Sequence, residues 1–129
     1  YKTFPFDKLV PGYYFRYDER GMLTNVSGCG NDVASEKRMA HKFILDSVRY
    51  WVRNFNLDGF RFDLMGLLDV DTMNEALMIM KNADPNGIVY GEGWNMPSNI
   101  PEDERANMNN YLLMPNIGFF NDKFRDLLL

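Results

Sequence analysis

Two short apolar segments, each ending in a carboxylic acid, constrain the fold of this chain most. Residues 59–63 read Gly-Phe-Arg-Phe-Asp, and residues 88–92 read Ile-Val-Tyr-Gly-Glu. A helical pattern separates them, so together they predict two parallel strands joined by a crossover helix. Neighbouring parallel strands lie about 4.8 Å apart. We therefore expect Asp63 and Glu92, which end the two strands, to lie side by side.

A loop and a helix are predicted before the first segment, and a second helix is predicted between the two segments. Residues 1–34 are rich in Gly, Pro, Tyr and Asn and predict a long surface loop. Apolar residues recur at helical spacing over residues 35–55, which predict an amphipathic helix. A second helix is predicted over residues 72–82, with Asp71 as its N-cap. The first two thirds of the chain therefore read loop, helix, strand, helix, strand.

The last third of the chain extends this repeat. Residues 97–110 predict a loop with a short helix, and residues 117–120 predict a third strand before a helix capped by Asn121 or Asp122. Such alternation predicts an α/β fold with a parallel sheet, either open and doubly wound or part of a closed barrel. Acids at the carboxyl ends of adjacent strands favour the barrel. Because a whole (β/α)8 TIM barrel takes about 250 residues, residues 1–129 would form about half of one catalytic domain.

The composition narrows the range of partners. Hydrophobic residues make up 46% of the 129 residues, enough for a sizeable core, and the single cysteine, Cys29, excludes an internal disulfide. The net charge of −4 is spread without long runs, which argues against a nucleic-acid or acidic-membrane partner. No apolar run approaches the ~20 residues of a membrane span. The chain begins without methionine and ends in an apolar helical pattern, so we expect it to be part of a longer protein.

Asp63 and Arg61 share one face of the first predicted strand, because strand side chains alternate. Two charged groups on one face of a buried strand require a polar cleft on that side. Phe60 and Phe62 would then face the helices. Asp63 fits a nucleophile that a neighbouring guanidinium keeps ionised. A buried structural Arg–Asp pair is the alternative.

Glu92 stands between two glycines at the end of the second predicted strand. Gly91 and Gly93 would let a ligand or another backbone approach closely. A second carboxylate nearby favours the protonated form of Glu92, and a separation of about 5 Å is what a retaining glycosidase needs between its nucleophile and its acid/base. Trp94 would offer a flat apolar face to a sugar ring. The alternative is a strand-end glutamate in a tight turn, with Trp94 in the core.

The acid-containing segments resemble those of a known enzyme family. Residues 58–66 (DGFRFDLMG) resemble the fourth-strand region of the alpha-amylase superfamily, with a Leu-Met-Gly tail similar to that of type I pullulanases, its debranching members. Residues 91–94 (GEGW) resemble the fifth-strand region of the same enzymes. Three further segments resemble pullulanase segments in the expected order: residues 13–18 (YYFRYD), 30–36 (GNDVASE) and 120–126 (FNDKFRD). The resemblance covers nearly the whole chain.

The resemblance implies a (β/α)8 barrel, of which this chain would supply strands four to six, acting on α-1,6 branches of pullulan, starch or glycogen. By position, Asp63 would be the nucleophile, Glu92 the acid/base, and Arg61 the residue that orients the nucleophile. Leu64, Met65 and Trp94 would bind the α-glucan substrate. The family also uses an aspartate motif after the seventh strand and a histidine motif after the third. This sequence contains neither, so we expect the chain by itself to be inactive.

No cofactor is expected for this chemistry. Asp69-Val70-Asp71 lacks the third ligand and the glycine of a calcium loop, so calcium use by the parent protein finds no support in this segment. Gly28-Cys29-Gly30 lacks the third glycine of a dinucleotide loop. The rival hypothesis is a catalytically silent barrel that only binds glucans or serves as a scaffold.

Overall fold

A three-stranded parallel sheet lies at the centre of the computed structural model, which describes residues 3–128. Its strands are β1 (Gly59–Phe62), β2 (Ile88–Gly91) and β3 (Ile117–Phe119), in the order β1-β2-β3. Within the described residues, β1 and β3 each have a neighbour on one side alone, so the sheet is open. The three predicted parallel strands are therefore confirmed.

Each strand ends one residue earlier than the sequence predicted. β1, β2 and β3 stop before Asp63, Glu92 and Phe120, respectively. These three residues therefore occupy the same position relative to their strands, just beyond the last paired residue.

In residues 3–128, four α-helices and three 3-10 helices flank and connect the strands. The α-helices are α1 (Pro5–Leu9), α2 (Arg38–Phe55), α3 (Val70–Ala83) and α4 (Asp122–Leu127), and the 3-10 helices are Met65–Leu67, Glu102–Glu104 and Met108–Leu113. The start of α2 at Arg38 is three residues later than predicted. α1 was not predicted at all.

The N-cap of α3 is Asp69 and not Asp71, as the sequence had suggested. The Asp69 carboxylate accepts hydrogen bonds from the backbone N–H of Thr72 and from its hydroxyl, at 3.1 and 2.5 Å. The predicted helix start at Thr72 was therefore two residues late. Burial raises the pKa of Asp69, and the two bonds from Thr72 offset part of that effect. At the start of α4, Asn121 acts as the cap, one of the two predicted residues, and accepts from the N–H of Phe124.

The hydrophobic core lies between the sheet and the pair α2 and α3. Phe60 and Phe62 pack against it, as expected for the strand face opposite Arg61. Its largest fully buried side chains include Met65, Met73, Met80, Met114 and Val89. None of the helices in residues 3–128 has the length and apolarity that crossing a bilayer requires.

We expected the predicted surface loop of residues 1–34 to be poorly anchored, but the segment before α2 is firmly attached to the rest of the molecule. Residues 1 and 2 lie outside the described residues. Tyr14, Phe15, Arg16 and Asp32 are all buried. Isolated antiparallel bridges join Phe15 to Val33 and Tyr17 to Leu23. The sequence reading missed this because glycines and polar turn residues dominate the composition, while a few buried side chains supply the anchoring.

Asp32 organises the turn that precedes α2. Its two carboxylate oxygens accept hydrogen bonds from the backbone N–H groups of Val26 and Ser27, at 2.9 and 2.8 Å. Burial acts to raise the pKa of Asp32, but the hydrogen bonds from Ser27, Thr24 and Val26 outweigh it, and the pKa lies below its usual value. The ionised form of Asp32 therefore stabilises this turn.

Replacing Asp32 with Asn removes one of the two acceptor oxygens. We expect the amides of Val26 and Ser27 to exchange about tenfold faster with solvent at pH 6, a loss of about 1.4 kcal/mol of local stability. Because a lowered folded-state pKa stabilises above the unfolded value, wild-type protection should fall as the pH drops below about 3.9. The measurement is hydrogen-exchange protection at pH 6 and pH 3.

The exposed Asp103→Asn variant serves as the control, and its protection at both amides should match the wild type. Equal protection of Val26 and Ser27 in the Asp32→Asn and wild-type proteins at pH 6 would contradict this account of the turn.

Candidate active site

The register of the parallel sheet brings Asp63 and Glu92 to the same edge. Phe62, the last residue of β1, lies opposite Gly91, the last residue of β2. The N–H of Glu92 donates to the carbonyl of Phe62 at 3.1 Å, which continues the pairing by one bond. The two acids therefore leave neighbouring strands at the same level, as the sequence predicted.

One guanidinium connects the two carboxyl groups. Arg61 Nη1 donates to Asp63 Oδ1 at 2.7 Å, and Nη2 donates to Glu92 Oε1 at 2.9 Å. Because both contacts start from one planar fork, these two carboxylate oxygens can lie no more than about 8 Å apart. That limit is compatible with the separation of about 5 Å that a retaining pair requires. The contact from Arg61 to Asp63 was predicted, whereas its contact to Glu92 was not.

The two acids differ in their surroundings. The Asp63 side chain is 72% exposed and that of Glu92 is 22% exposed. Within residues 3–128, Arg61 is the one hydrogen-bond partner of the Asp63 carboxylate. Glu92 has a second donor, because the backbone N–H of Leu64 reaches its Oε2 at 3.0 Å. Asp63 is thus open to an incoming group, while Glu92 is held by both oxygens.

Leu64 adopts an unusual backbone conformation next to the nucleophile candidate. Its φ of 45° and ψ of 42° lie in the left-handed region, which L-residues with a Cβ rarely occupy. Its N–H binds Glu92, and its carbonyl accepts from the N–H of Leu67 at 2.9 Å. The strained residue therefore joins the turn after β1 to the acid after β2.

An aromatic residue that the sequence reading missed completes this edge. The Phe120 ring lies 5.4 Å from the guanidinium carbon of Arg61, within cation–π range. Tyr90 contacts the same ring edge-to-face at 5.6 Å. Phe120 follows β3 as Asp63 follows β1 and Glu92 follows β2. This position could have identified Phe120 from the sequence, because Phe120 follows the third predicted strand as Glu92 follows the second.

The glycines around Glu92 make room for the protein and not for a ligand. A Cβ on Gly91 would collide with the carbonyl oxygen of Phe62 and lie 3.0 Å from Met65 Sδ. A Cβ on Gly93 would enter the ring of Phe119. Of the two predicted reasons for these glycines, close approach of a ligand or of the protein itself, the structure therefore supports the second.

The three predicted substrate contacts fare differently. Leu64 and Trp94 are partly exposed, so their proposed contacts with a sugar remain predictions. Met65 is fully buried within the core. Its side chain therefore lies in the core beside Gly91 and is not available to a substrate, because the turn at Leu64 directs it inward.

Metal ligands do not cluster in the part of the chain that the structure describes. No group of three or more His, Cys, Asp or Glu side chains there is placed to hold a metal ion. His41 contacts Thr72 and Glu75 between α2 and α3, at 2.7 and 3.2 Å.

Comparison with known proteins gives consistent matches of high identity, although no family model matches the chain. The chain is 52% identical over 122 residues to a pullulanase of Bacillus subtilis, covering 95% of this chain and 17% of that protein. It is 38% identical to the chloroplastic pullulanase 1 of Arabidopsis thaliana, covering 95% of this chain and 14% of that protein. The chain thus spans less than one fifth of the length of these relatives.

Solved structures give the same result. The type I pullulanase of Bacillus subtilis bound to maltose superimposes with a TM-score of 0.93 at 50% identity, covering 97% of this chain and 18% of that one. The Paenibacillus barengoltzii pullulanase bound to maltohexaose and alpha-cyclodextrin also has a TM-score of 0.93, at 45% identity, covering 96% of this chain and 19% of that one. Sequence and fold agree on the same segment of these proteins. The chain belongs to the type I pullulanase family of alpha-amylase-type glycoside hydrolases.

Proposed function

We propose that this chain forms the catalytic edge of a retaining α-1,6-glucan debranching hydrolase, with Asp63 as nucleophile and Glu92 as acid/base. The observation that carries the proposal is the single Arg61 guanidinium shared between the two strand-end carboxylates. A general acid and a nucleophile must flank one glycosidic bond at close range. Relatives bound to maltose and maltohexaose indicate the substrate class, an α-glucan.

The proposed setting is a closed (β/α)8 barrel, in which β1 to β3 would be strands four to six. The parallel order, the helices on one face and the two open edges support this arrangement. In such barrels the catalytic groups stand at the carboxyl ends of the strands. Asp63 and Glu92 occupy that position here.

The reaction would proceed through two displacements at one anomeric carbon. Asp63 attacks this carbon while Glu92 gives its proton to the departing O6, and the bond between carbon and O6 breaks. A water then attacks the same carbon, its proton passes to Glu92, and Asp63 leaves as a carboxylate. Two inversions retain the α-configuration. The exposed Asp63 carboxylate and the more enclosed Glu92 suit these roles.

The two acids can be tested separately in the native-length protein. Asp63→Asn should abolish pullulan hydrolysis but leave glucan binding largely intact, because an amide is nearly isosteric and a poor nucleophile. Glu92→Gln should be rescued most with substrates whose leaving group needs no protonation. Reducing-sugar release and maltotriose binding are the two measurements. Wild-type hydrolysis by Asp63→Asn would overturn the assignment of the nucleophile.

Arg61→Lys tests the shared guanidinium. A lysine ammonium is a point charge and cannot place two donors in a planar fork between Asp63 and Glu92. We expect a decrease in kcat of about 100-fold, because the two carboxyl groups lose their common support. Arg53→Lys, on the exposed side of α2, is the matched control and should leave kcat unchanged. A near-normal kcat in Arg61→Lys would favour the structural reading of the Arg–Asp pair.

The 129-residue chain by itself is expected to release no maltotriose from pullulan. The family's aspartate motif after the seventh strand is absent from it, and that acid would share in stabilising the transition state. The unpaired edges of β1 and β3 also favour aggregation. The test compares purified chain with its Glu92→Gln variant. Release of maltotriose that depends on Glu92 would show that this segment is sufficient.

A silent glucan-binding or scaffold barrel remains the rival function. It predicts maltotriose binding without turnover in the native-length protein. The presence of both acids, with Arg61 between them, favours the enzyme.

A further inference from the structure

Arg16 is a buried arginine that lies outside the proposed catalytic edge, and its side chain bonds to three residues. Its side chain is 3% exposed. Nη2 pairs with Glu36 Oε2 at 2.8 Å and lies 3.4 Å from the Ser35 hydroxyl, while Nη1 donates to the carbonyl of Leu67 at 2.7 Å. The guanidinium thus ties the segment before α2 to the turn that follows β1.

Arg16 is itself held on both sides by the backbone. Its N–H donates to the carbonyl of Asp32 at 2.9 Å, and its carbonyl accepts from the N–H of Thr24 at 3.0 Å. A fork fixed in this way can act as a rigid support for the residue that it contacts, Leu67.

The turn ending at Leu67 is the one that presents a hydrogen-bond donor to Glu92. The N–H of Leu67 donates to the carbonyl of Leu64, whose own N–H reaches Glu92 Oε2. The N–H of Gly66 donates to the backbone carbonyl of Glu92 at 3.0 Å. Two of the turn's amides therefore point at the acid/base candidate, one at its side chain and one at its backbone.

The left-handed conformation of Leu64 makes this turn depend on external support. A leucine adopts left-handed φ and ψ angles only where the surrounding structure stabilises them. The buried, charged guanidinium of Arg16 supplies such support, because it donates a hydrogen bond to the carbonyl of Leu67 at the end of the turn.

We propose that Arg16 is a positioning residue for Glu92, acting through the Leu67 carbonyl and the Leu64 N–H. The inference rests on the proposed function of Glu92 as acid/base. Arg16 touches neither acid, so its effect on the reaction is to set the position of the amide that binds Glu92. A hydrogen bond to a carboxylate favours its ionised form. Loosening that amide should therefore change the pH dependence of the reaction as well as its rate.

Arg16→Lys in the native-length protein is the main test. A lysine cannot reach Glu36 and the Leu67 carbonyl with the geometry of the fork. We expect kcat on pullulan to fall about 10- to 100-fold with KM little changed, since small misplacement of a catalytic group is costly. The alkaline limb of the kcat/KM profile should move to higher pH. The deficit should shrink with an aryl maltotrioside whose leaving group needs no protonation.

Asp32→Asn is the matched control, because it weakens the same segment without touching Leu67. It should leave the alkaline limb in place and affect the two substrates equally. If Arg16→Lys does not fold, Glu36→Gln decides the question, since it keeps an acceptor for Arg16 but removes the charge. A smaller shift of the limb in the same direction supports the inference, and an unchanged limb overturns it.

Glu92→Gln, measured alongside, distinguishes a failure of the proposed function of Glu92 from a failure of the proposed role of Arg16. Wild-type turnover and an unchanged alkaline limb in Glu92→Gln would remove the proposed function itself. Loss of turnover in Glu92→Gln together with a wild-type profile in folded Arg16→Lys would overturn the role of Arg16 alone.

Discussion

The proposed catalytic edge depends on one cation that two like charges share. Asp63 and Glu92 leave neighbouring strands at the same level because the register of β1 and β2 places them there. Two carboxylates at such close range repel each other. Arg61 stands on the same face of β1, two residues before Asp63, and reaches both. The strand period of two places the guanidinium on the face where the charges converge.

The enclosure around this cation comes from close packing by the chain itself. Gly91 and Gly93 leave space that Met65 and the Phe119 ring occupy. Glu92 is therefore flanked by a backbone that cannot drift without displacing core side chains. The Phe120 ring closes one side of the guanidinium. Arg61, Asp63 and Glu92 are thus supported by side chains of the apolar core.

Much of this arrangement was predictable from the sequence, for physical reasons. Apolar segments bounded by turn residues located the three strands, and matching strand ends located Asp63 and Glu92. The contact from Arg61 to Glu92 was not predictable, because it depends on how two strands stand relative to each other. The role of Arg16 was also hidden, since its partner Leu67 lies 51 positions away. The cap at Asp69 was missed because two aspartates lie near the helix start and local sequence does not choose between them.

The burial of Met65 was missed for a different reason. Its place after Asp63 suggested the mouth of a barrel, but the left-handed turn at Leu64 redirects the chain inward. A left-handed turn can be predicted from sequence when glycine occupies the position with positive φ, but here that residue is Leu64. Local strain of this kind shows in backbone geometry alone.

The methionine-rich core has a consequence for chemical durability. Met65, Met73, Met80 and Met114 are fully enclosed, whereas Met22 and Met78 are more than half exposed. An oxidant would convert the exposed pair to sulfoxides first. The Met65 sulfur lies behind Gly91, where an added oxygen would have no room. Loss of the folded structure in peroxide should therefore follow the slow opening of the core, and it should come well after oxidation of the exposed methionines.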